Sequence, residues 1–430
     1  MVISGWGNYK KIDSNVFYPK SLDECKFFLD KNSLIPRGNG RSYGDSSVFK
    51  QTLITEKLNK IINFDRVNGI LECESGVKLN QILDFVVPNG WFLPVTPGLK
   101  FITIGGALAS DVHGKNHHKE GSFSDHVLSF KILSGDNKLY TVTRNEPDDL
   151  FRATCGGMGL TGIIMSVKFK LKKIKSSRIL EKKFKCDTLE KIIEKFEEYK
   201  NSSYSVAWLD ISENLNNTGR GIFVTGEHFN DLKFKKNNNR NFNIPIIFPS
   251  LFLNNKTSTM FNNIYYNLHR TTHENIVDYD TFFYPLDKIN NWNRIYGSVG
   301  FLQHQFVIPC DNGILNLKKI LNLIHEKNLK PYLAVLKLFG KGNSNYLSFP
   351  FEGYSLALDF KATSENIKSI YILDNLIQDL GGKLYLTKDA IMKKSFFESS
   401  YKNIDKFINV RKKYNCEKKF ISNQSLRLGL

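Results

Sequence analysis

The residues best suited to chemistry gather in three glycine-rich stretches. The first, PRGNGRSYGD, runs from Pro36 to Asp45 and sets three glycines beside two arginines, a serine and a tyrosine. Glycine reaches positive φ without strain, so such a stretch can aim successive backbone N–H groups at one point and cradle a phosphate. No Gly-Lys-Ser/Thr follows, so it is not a P-loop. Its GxGxxxG spacing, with no long helix behind it, does not fit a dinucleotide Rossmann turn either. The second stretch, PVTPGLKFITIGGALASDVHGKNHHKEGSFSDHV, spans Pro94 to Val127; the third, RATCGGMGLTGIIMSVKFKL, spans Arg152 to Leu171. Three such turns can surround an extended, pyrophosphate-bearing cofactor from several sides. His113, His117, His118 and His126 offer a rival chemistry, zinc ligation. HGKNHH lacks the helical HExxH frame and an acid ligand at fixed offset, so no metal site is expected.

The elements that must hold these turns are legible around them. GILECESGVKLNQILDFVVPNGWFLP predicts a strand, a turn at Ser75-Gly76 and a short helix ending near Pro88-Asn89-Gly90. HVLSFKILSGDNKLYTVT predicts two strands about the Gly135-Asp136-Asn137 turn. In GIIMSVKFKLKKI, Val167, Phe169 and Leu171 alternate against Lys168, Lys170 and Lys172, which predicts another strand. After about Lys175 the glycines thin out, and helix-like DTLEKIIEKFEEYKN opens a second region. Leu232 to Ser258 is basic and Asn-rich, then apolar, and Pro245 and Pro249 argue against a core helix there. It is either a surface loop or a membrane-facing flap, in which Lys233, Lys235, Lys236 and Arg240 meet anionic lipid while Ile246, Ile247, Phe248, Leu251 and Phe252 dip in. KPYLAVLKLFG and YSLALDF read as strands, SENIKSIYILDNLIQDLGG as a helix, and KLYLTKDA follows.

A chain of 430 residues, 41% of them hydrophobic with 33 Phe and 18 Tyr, has the material for two folded domains. No apolar run is long enough to span a membrane. The opening MVISGWGNYKK lacks the order of a signal peptide, so a cytoplasmic or peripherally membrane-associated protein is expected. The six cysteines are scattered without a CxxC pair, which predicts buried, reduced thiols. A net charge of +18 implies an anionic partner. The basic residues are dispersed and no recognition motif for DNA or RNA appears, so nucleic acid is not that partner.

In this order the three segments resemble the PCMH-type FAD-binding domain of the vanillyl-alcohol-oxidase flavoprotein superfamily. Within it, GRSYGD, GGALASDVHGKNHH, GSFSDHV, GGMGLTGIIM, GFLQHQFVIP, AVLKLFGKGN, LSFPFEGYSLALDF and YLTKDA are similar to the decaprenylphosphoryl-β-D-ribose 2'-oxidase family. The resemblance runs from about Gly5 to the C-terminus and is weakest across roughly 176–275. It implies an α+β, two-domain fold. Residues 1–175 plus 383–430 would form a discontinuous FAD-binding domain, and residues 176–382 an inserted substrate domain built on an antiparallel sheet.

The resemblance also implies site residues. Gly38, Asn39, Gly40, Arg41, Ser42, Tyr43 and Gly44 would lie along the FAD pyrophosphate. Pro97, Gly105, Gly106, His113, Gly114, Asn116 and His117 would contact the flavin from the second segment, and Gly157, Gly159, Thr161, Gly162 and Ile163 from the third. Arg41 stands where many sugar-lactone oxidases carry the histidine that tethers the flavin, so non-covalent FAD is expected, with His113 as the alternative attachment point. Lys388 would be the essential lysine, in reach of both sugar hydroxyl and flavin, with Tyr43 beside it. Gln303 and Gln305 would point into the substrate cavity, and Lys115 and Lys337 would meet substrate phosphate or flavin oxygens. Ser355 and Ala357, where actinobacterial members have asparagine and cysteine, would line the sugar pocket. The implied reaction oxidises the 2'-hydroxyl of a polyprenyl-phosphate pentose, with an NAD(P)H-dependent keto-reductase as partner enzyme. A soluble sugar or aldonolactone oxidase of the same fold is the alternative reading.

Overall fold

The computed structural model describes residues 1–211, 219–234, 242–244, 246, 255–269 and 271–430. Three sheets carry the fold. Asn15–Phe17 (β1), Ile35–Arg37 (β2) and Gln51–Ile54 (β3) form a parallel sheet of order β1-β3-β2. Ile61–Asp65 (β4), Ile70–Glu74 (β5), Val127–Leu133 (β6), Leu139–Thr143 (β7) and Ile163–Lys170 (β8) form an antiparallel sheet of order β7-β6-β8-β5-β4. The expected hairpin is β6-β7, turning through Asn137 at φ 60°. On β8, Val167 and Phe169 are fully buried while Lys170 is exposed, as a period of two requires.

The third sheet is antiparallel and eight-stranded. Its strands are Arg178–Cys186 (β9), Tyr204–Leu209 (β10), Gly221–His228 (β11), Thr272–Asp278 (β12), Phe301–Pro309 (β13), Leu333–Phe339 (β14), Gly353–Lys361 (β15) and Lys383–Leu384 (β16). They run in the order β12-β9-β11-β10-β14-β15-β13-β16. Helices cover one face. Leu189–Glu198 starts at its N-cap Thr188, whose hydroxyl accepts from Lys191 N–H, and buries Leu189, Ile192, Ile193 and Phe196 at helical spacing. It packs on β9 and β11, and Gly313–Glu326 packs beside it on β13. Each fully buried side chain of this size contributes about 1.5–3 kcal/mol. The other face of the sheet is left to line a cavity.

After β16 the chain returns to the N-terminal sheets. Leu34 exchanges backbone hydrogen bonds with Lys419 and Ile421, at 2.8 and 3.1 Å. Arg411, fully buried, donates to the carbonyls of Leu160 and Phe420. Lys383–Leu384, expected at the start of this return, instead pairs with Phe306 and Val307 and closes the edge of the large sheet. KLYLTKDA is therefore two residues of strand and then a turn, in which Lys388 and Asp389 N–H both donate to the Tyr385 carbonyl.

Of the six cysteines five are buried and reduced, but Cys310 is exposed at the end of β13. Most of the expected flap, including Lys235, Lys236, Arg240, Pro245, Ile247, Phe248, Pro249, Leu251 and Phe252, lies outside the described residues. A helix, Asn255–Leu268, begins after the prolines. Among the described residues no helix is long and apolar enough to cross a membrane.

Candidate active site

One cavity of about 550 Å³ lies between the glycine segments and the uncovered face of the eight-stranded sheet. Gly38, Asn39, Gly40, Arg41, Ser42 and Tyr43 line it from the first segment. Pro97, Gly105, Gly106, His113 and Lys115 line it from the second, and Gly159 and Gly162 from the third. The sheet adds Gln303, Gln305, Lys337, Ser355 and Ala357, and the turn after β16 adds Lys388. The strand residues share a face because side chains alternate, and register aligns them. Gln305 stands opposite Ala357, which in turn faces Val335; Ser355 lies between Val307 and Lys337.

The other expected cofactor residues stand behind this wall and shape it. A Cβ on Gly44 would sit 1.8 Å from the Asp389 carbonyl oxygen, on Gly157 2.1 Å from that of Ala153, and on Gly114 2.7 Å from that of Thr96. Asn116 donates to the Pro94 carbonyl at 2.7 Å, and the His117 ring lies 4.6 Å from that of Phe339. Thr161 shares a 3.0 Å hydrogen bond with Thr154, and Ile163 is fully buried core.

The first segment is built to offer donors. Gly40 turns at φ 60°, and Asn39 pins the loop by donating to the Phe101 carbonyl at 2.7 Å. Among the described residues, the backbone N–H groups of Asn39, Gly40, Arg41 and Ser42 donate no hydrogen bond. Arg41 Nε and Ser75 Oγ, on cavity-lining residues, are buried without a partner. A buried polar group left unmet costs about 1–3 kcal/mol. Convergent unmet donors fit an anionic group rich in acceptors, such as the pyrophosphate of a dinucleotide.

Titratable groups cluster beside this loop, on the second glycine segment and on the sheet. Lys388 Nζ lies 3.6 Å from the centroid of the buried Tyr43 ring, and Tyr43 N–H donates to the Thr387 carbonyl. Burial, with the nearby Lys337 charge, pulls Lys388 from 10.5 down to about 7, against the opposing pull of Asp359. Burial takes Lys337 down to about 8. Lys115 falls to about 7, first by burial and then by Lys337; its Nζ donates to the Phe282 carbonyl. Gln305 Nε2 lies 3.0 Å from His113 Nε2 and donates to Ser355 at 3.1 Å. Burial and the adjacent lysines hold His113 neutral, well below the usual imidazole range. His118 Nε2 faces the Ser202 carbonyl and His126 Nε2 that of Glu120, so two of the four histidines weighed as zinc ligands are engaged by backbone carbonyls.

Asp359 is the participant that the sequence reading overlooked. Its carboxylate, buried on β15, accepts from Gln303 at 2.6 Å and from Tyr296 at 3.0 Å, and burial raises its pKa to about 6. The signal was there: Asp359 continues the alternation of Ser355 and Ala357. Asp359 stands behind the lining, whereas Lys183, on β9 and paired with Glu181 at 2.9 Å, lines the cavity itself. It carried no such signal, because alternating charges on a strand read as a solvated face.

A family model described as an FAD binding domain matches residues 15–143. The chain is 33% identical over 413 residues to decaprenylphosphoryl-β-D-ribose oxidase of Mycolicibacterium smegmatis, covering 92% of this chain and 89% of that one. It is 28% identical over 170 residues to a putative D-arabinono-1,4-lactone oxidase of Neurospora crassa, 38% of this chain and 30% of that one. It is also 28% identical over 173 residues to D-2-hydroxyglutarate dehydrogenase of Arabidopsis thaliana, 37% and 31% of the respective chains.

Proposed function

The chain belongs to the decaprenylphosphoryl-β-D-ribose oxidase family of FAD-binding oxidases, and from that premise we propose that it oxidises the 2'-hydroxyl of a polyprenyl-phosphate ribofuranose to a ketone. The observation that carries the reading is one cavity whose lining joins unbonded loop amides with Lys388 and Tyr43, and with Lys115 and Lys337. Bound FAD supplies the two-electron acceptor for the hydrogen on the carbinol carbon. The unbonded amides of Asn39 to Ser42 would hold its pyrophosphate, and Gly105, Gly106 and Gly159 line the cavity without side chains to obstruct it. Arg41 stands where a tethering histidine would be and cannot form that link, which supports a dissociable cofactor.

Lys388 Nζ, neutral above about pH 7, takes the proton of the 2'-hydroxyl. The charge it gains offsets the electrons passed to the cofactor. Asp359, through Gln303, keeps Tyr43 and that lysine in register. Lys115 and Lys337 meet the substrate phosphate, while Ser355 and Ala357 shape the space beside the sugar. In this reading residues 176–382 are an inserted substrate domain whose sheet roofs the flavin domain formed by 1–175 and the returning C-terminal segment. A keto sugar must then be reduced by an NAD(P)H-dependent partner, which makes this step half of a 2'-epimerisation in surface-glycan synthesis. A prenyl-linked substrate also brings the enzyme to an anionic membrane surface.

The test is anaerobic mixing of FAD-loaded protein with a prenyl-phosphoribose and, separately, with a free aldonolactone. Flavin bleaching and a product two hydrogens lighter are expected with the first alone. Bleaching by the lactone alone would replace this reading with a soluble aldonolactone oxidase.

A further inference from the structure

Helix Asn255–Leu268 is built inside out. Its inward side is polar. Asn262, buried, donates to Asp210 at 2.9 Å, and Asn263 accepts from Arg220 at 2.5 Å. Arg220 and Asp210 are themselves a buried ion pair at 2.7 Å, and Tyr266 donates from the same side to the Cys186 carbonyl. The outward side is apolar: Met260 is 60% exposed, Phe261 58%, Ile264 51% and Leu268 76%. A helix serving only a water-facing surface has the opposite arrangement, and a contiguous exposed apolar face marks an interaction site.

Three observations say what covers it. The helix is continuous with the cavity, since Phe261 and Tyr265 line it and Tyr265 packs on Trp208 of β10 at 4.9 Å. The cavity is too small for a polyprenyl tail: ~300–1,000 Å³ accommodates one drug-sized ligand, and these 550 Å³ must take a dinucleotide and a sugar phosphate. A net charge of +18 suits anionic headgroups.

We propose that the outer face of this helix docks on an anionic lipid bilayer, so that the cavity opens toward the membrane and the prenyl tail stays in the lipid while the sugar enters. The requirement for a tail exit rests on the polyprenyl-phosphate reading above; the inside-out helix does not. Met260, Ile264 and Leu268 lie outside the cavity lining, so replacing them leaves the site intact.

The experiment uses FAD-loaded protein, vesicles of phosphatidylcholine mixed with phosphatidylglycerol, and the triple variant Met260→Ser, Ile264→Ser, Leu268→Ser. Co-sedimentation with vesicles should fall about tenfold or more, and turnover of a long-chain prenyl-phosphoribose in those vesicles should fall with it. Turnover of a short-chain, water-soluble analogue should not change. Asn267→Leu, on the same exposed face, should tighten vesicle binding, which guards against a merely misfolded triple variant. Equal vesicle binding by all three proteins would overturn the proposal, as would a self-associated form that the triple variant disperses without any vesicle binding. Loss of vesicle binding in the variant, with no turnover of either substrate by any protein, would leave the docking surface standing and the reaction reading refuted.

Discussion

Lys388 is buried where its charge is unwelcome. Burial is the first cause of its fall from 10.5 to about 7, and Lys337 is the second. Between those two values the unfolded chain holds a proton that the folded chain has released. The site's contribution to stability therefore rises with pH across that window, and below about 7 the full cost of the buried charge is felt. The rate of flavin reduction by substrate should rise with pH through about 7, as the amine becomes able to take a proton. Asp359 opposes this shift, so Asp359→Asn should move the inflection to lower pH and slow the reaction about 10- to 100-fold while FAD stays bound. A pH profile unchanged from wild type in stopped-flow measurements would remove Asp359 from the account. At this scale the sequence was partly legible. Gln303, Gln305, Lys337 and Lys388 were all expected in the site and all line the cavity. Asp359 was overlooked because the partners that define it, Gln303 and Tyr296, come from other elements and meet it only in the fold.

Among the elements, the turn that carries Lys388 is held from both chain ends. Arg427 bridges Asp45 and Asp389, each at 2.8 Å, and Gln424 donates to the Leu386 carbonyl. Gly44 lets the first glycine segment close onto this turn, with no room for a Cβ against Asp389. Gly44→Ala should therefore cost about 1–3 kcal/mol of stability and weaken FAD retention, read as a lower thermal midpoint and a lower flavin-to-protein ratio. An unchanged midpoint would show that the turn yields. The family resemblance implied Gly44 as a cofactor contact; its packing duty depends on a residue 345 positions away and had no local signature. Hairpin β6-β7 and the helix Leu189–Glu198 were legible because period and turn residues are local signals. The two-residue strand β16 was not, because it exists only by pairing with β13.

For the whole molecule, the account is of a flavin site assembled from segments far apart in sequence, with the chain's end returning to lock it. Arginine at position 41 gives one expectation at this scale. Acid precipitation of the yellow protein should release all its FAD to the supernatant, from wild type and His113→Ala alike, and flavin remaining in the pellet would show a covalent link. The most direct test is the visible spectrum of the FAD-loaded protein before and after anaerobic addition of a prenyl-phosphoribose, in wild type and Lys388→Ala. The account predicts a flavin spectrum in both proteins, with bleaching in wild type and a bleaching rate at least ~100-fold lower in the variant. A colourless protein that FAD cannot restore, or a variant that bleaches at the wild-type rate, would contradict it.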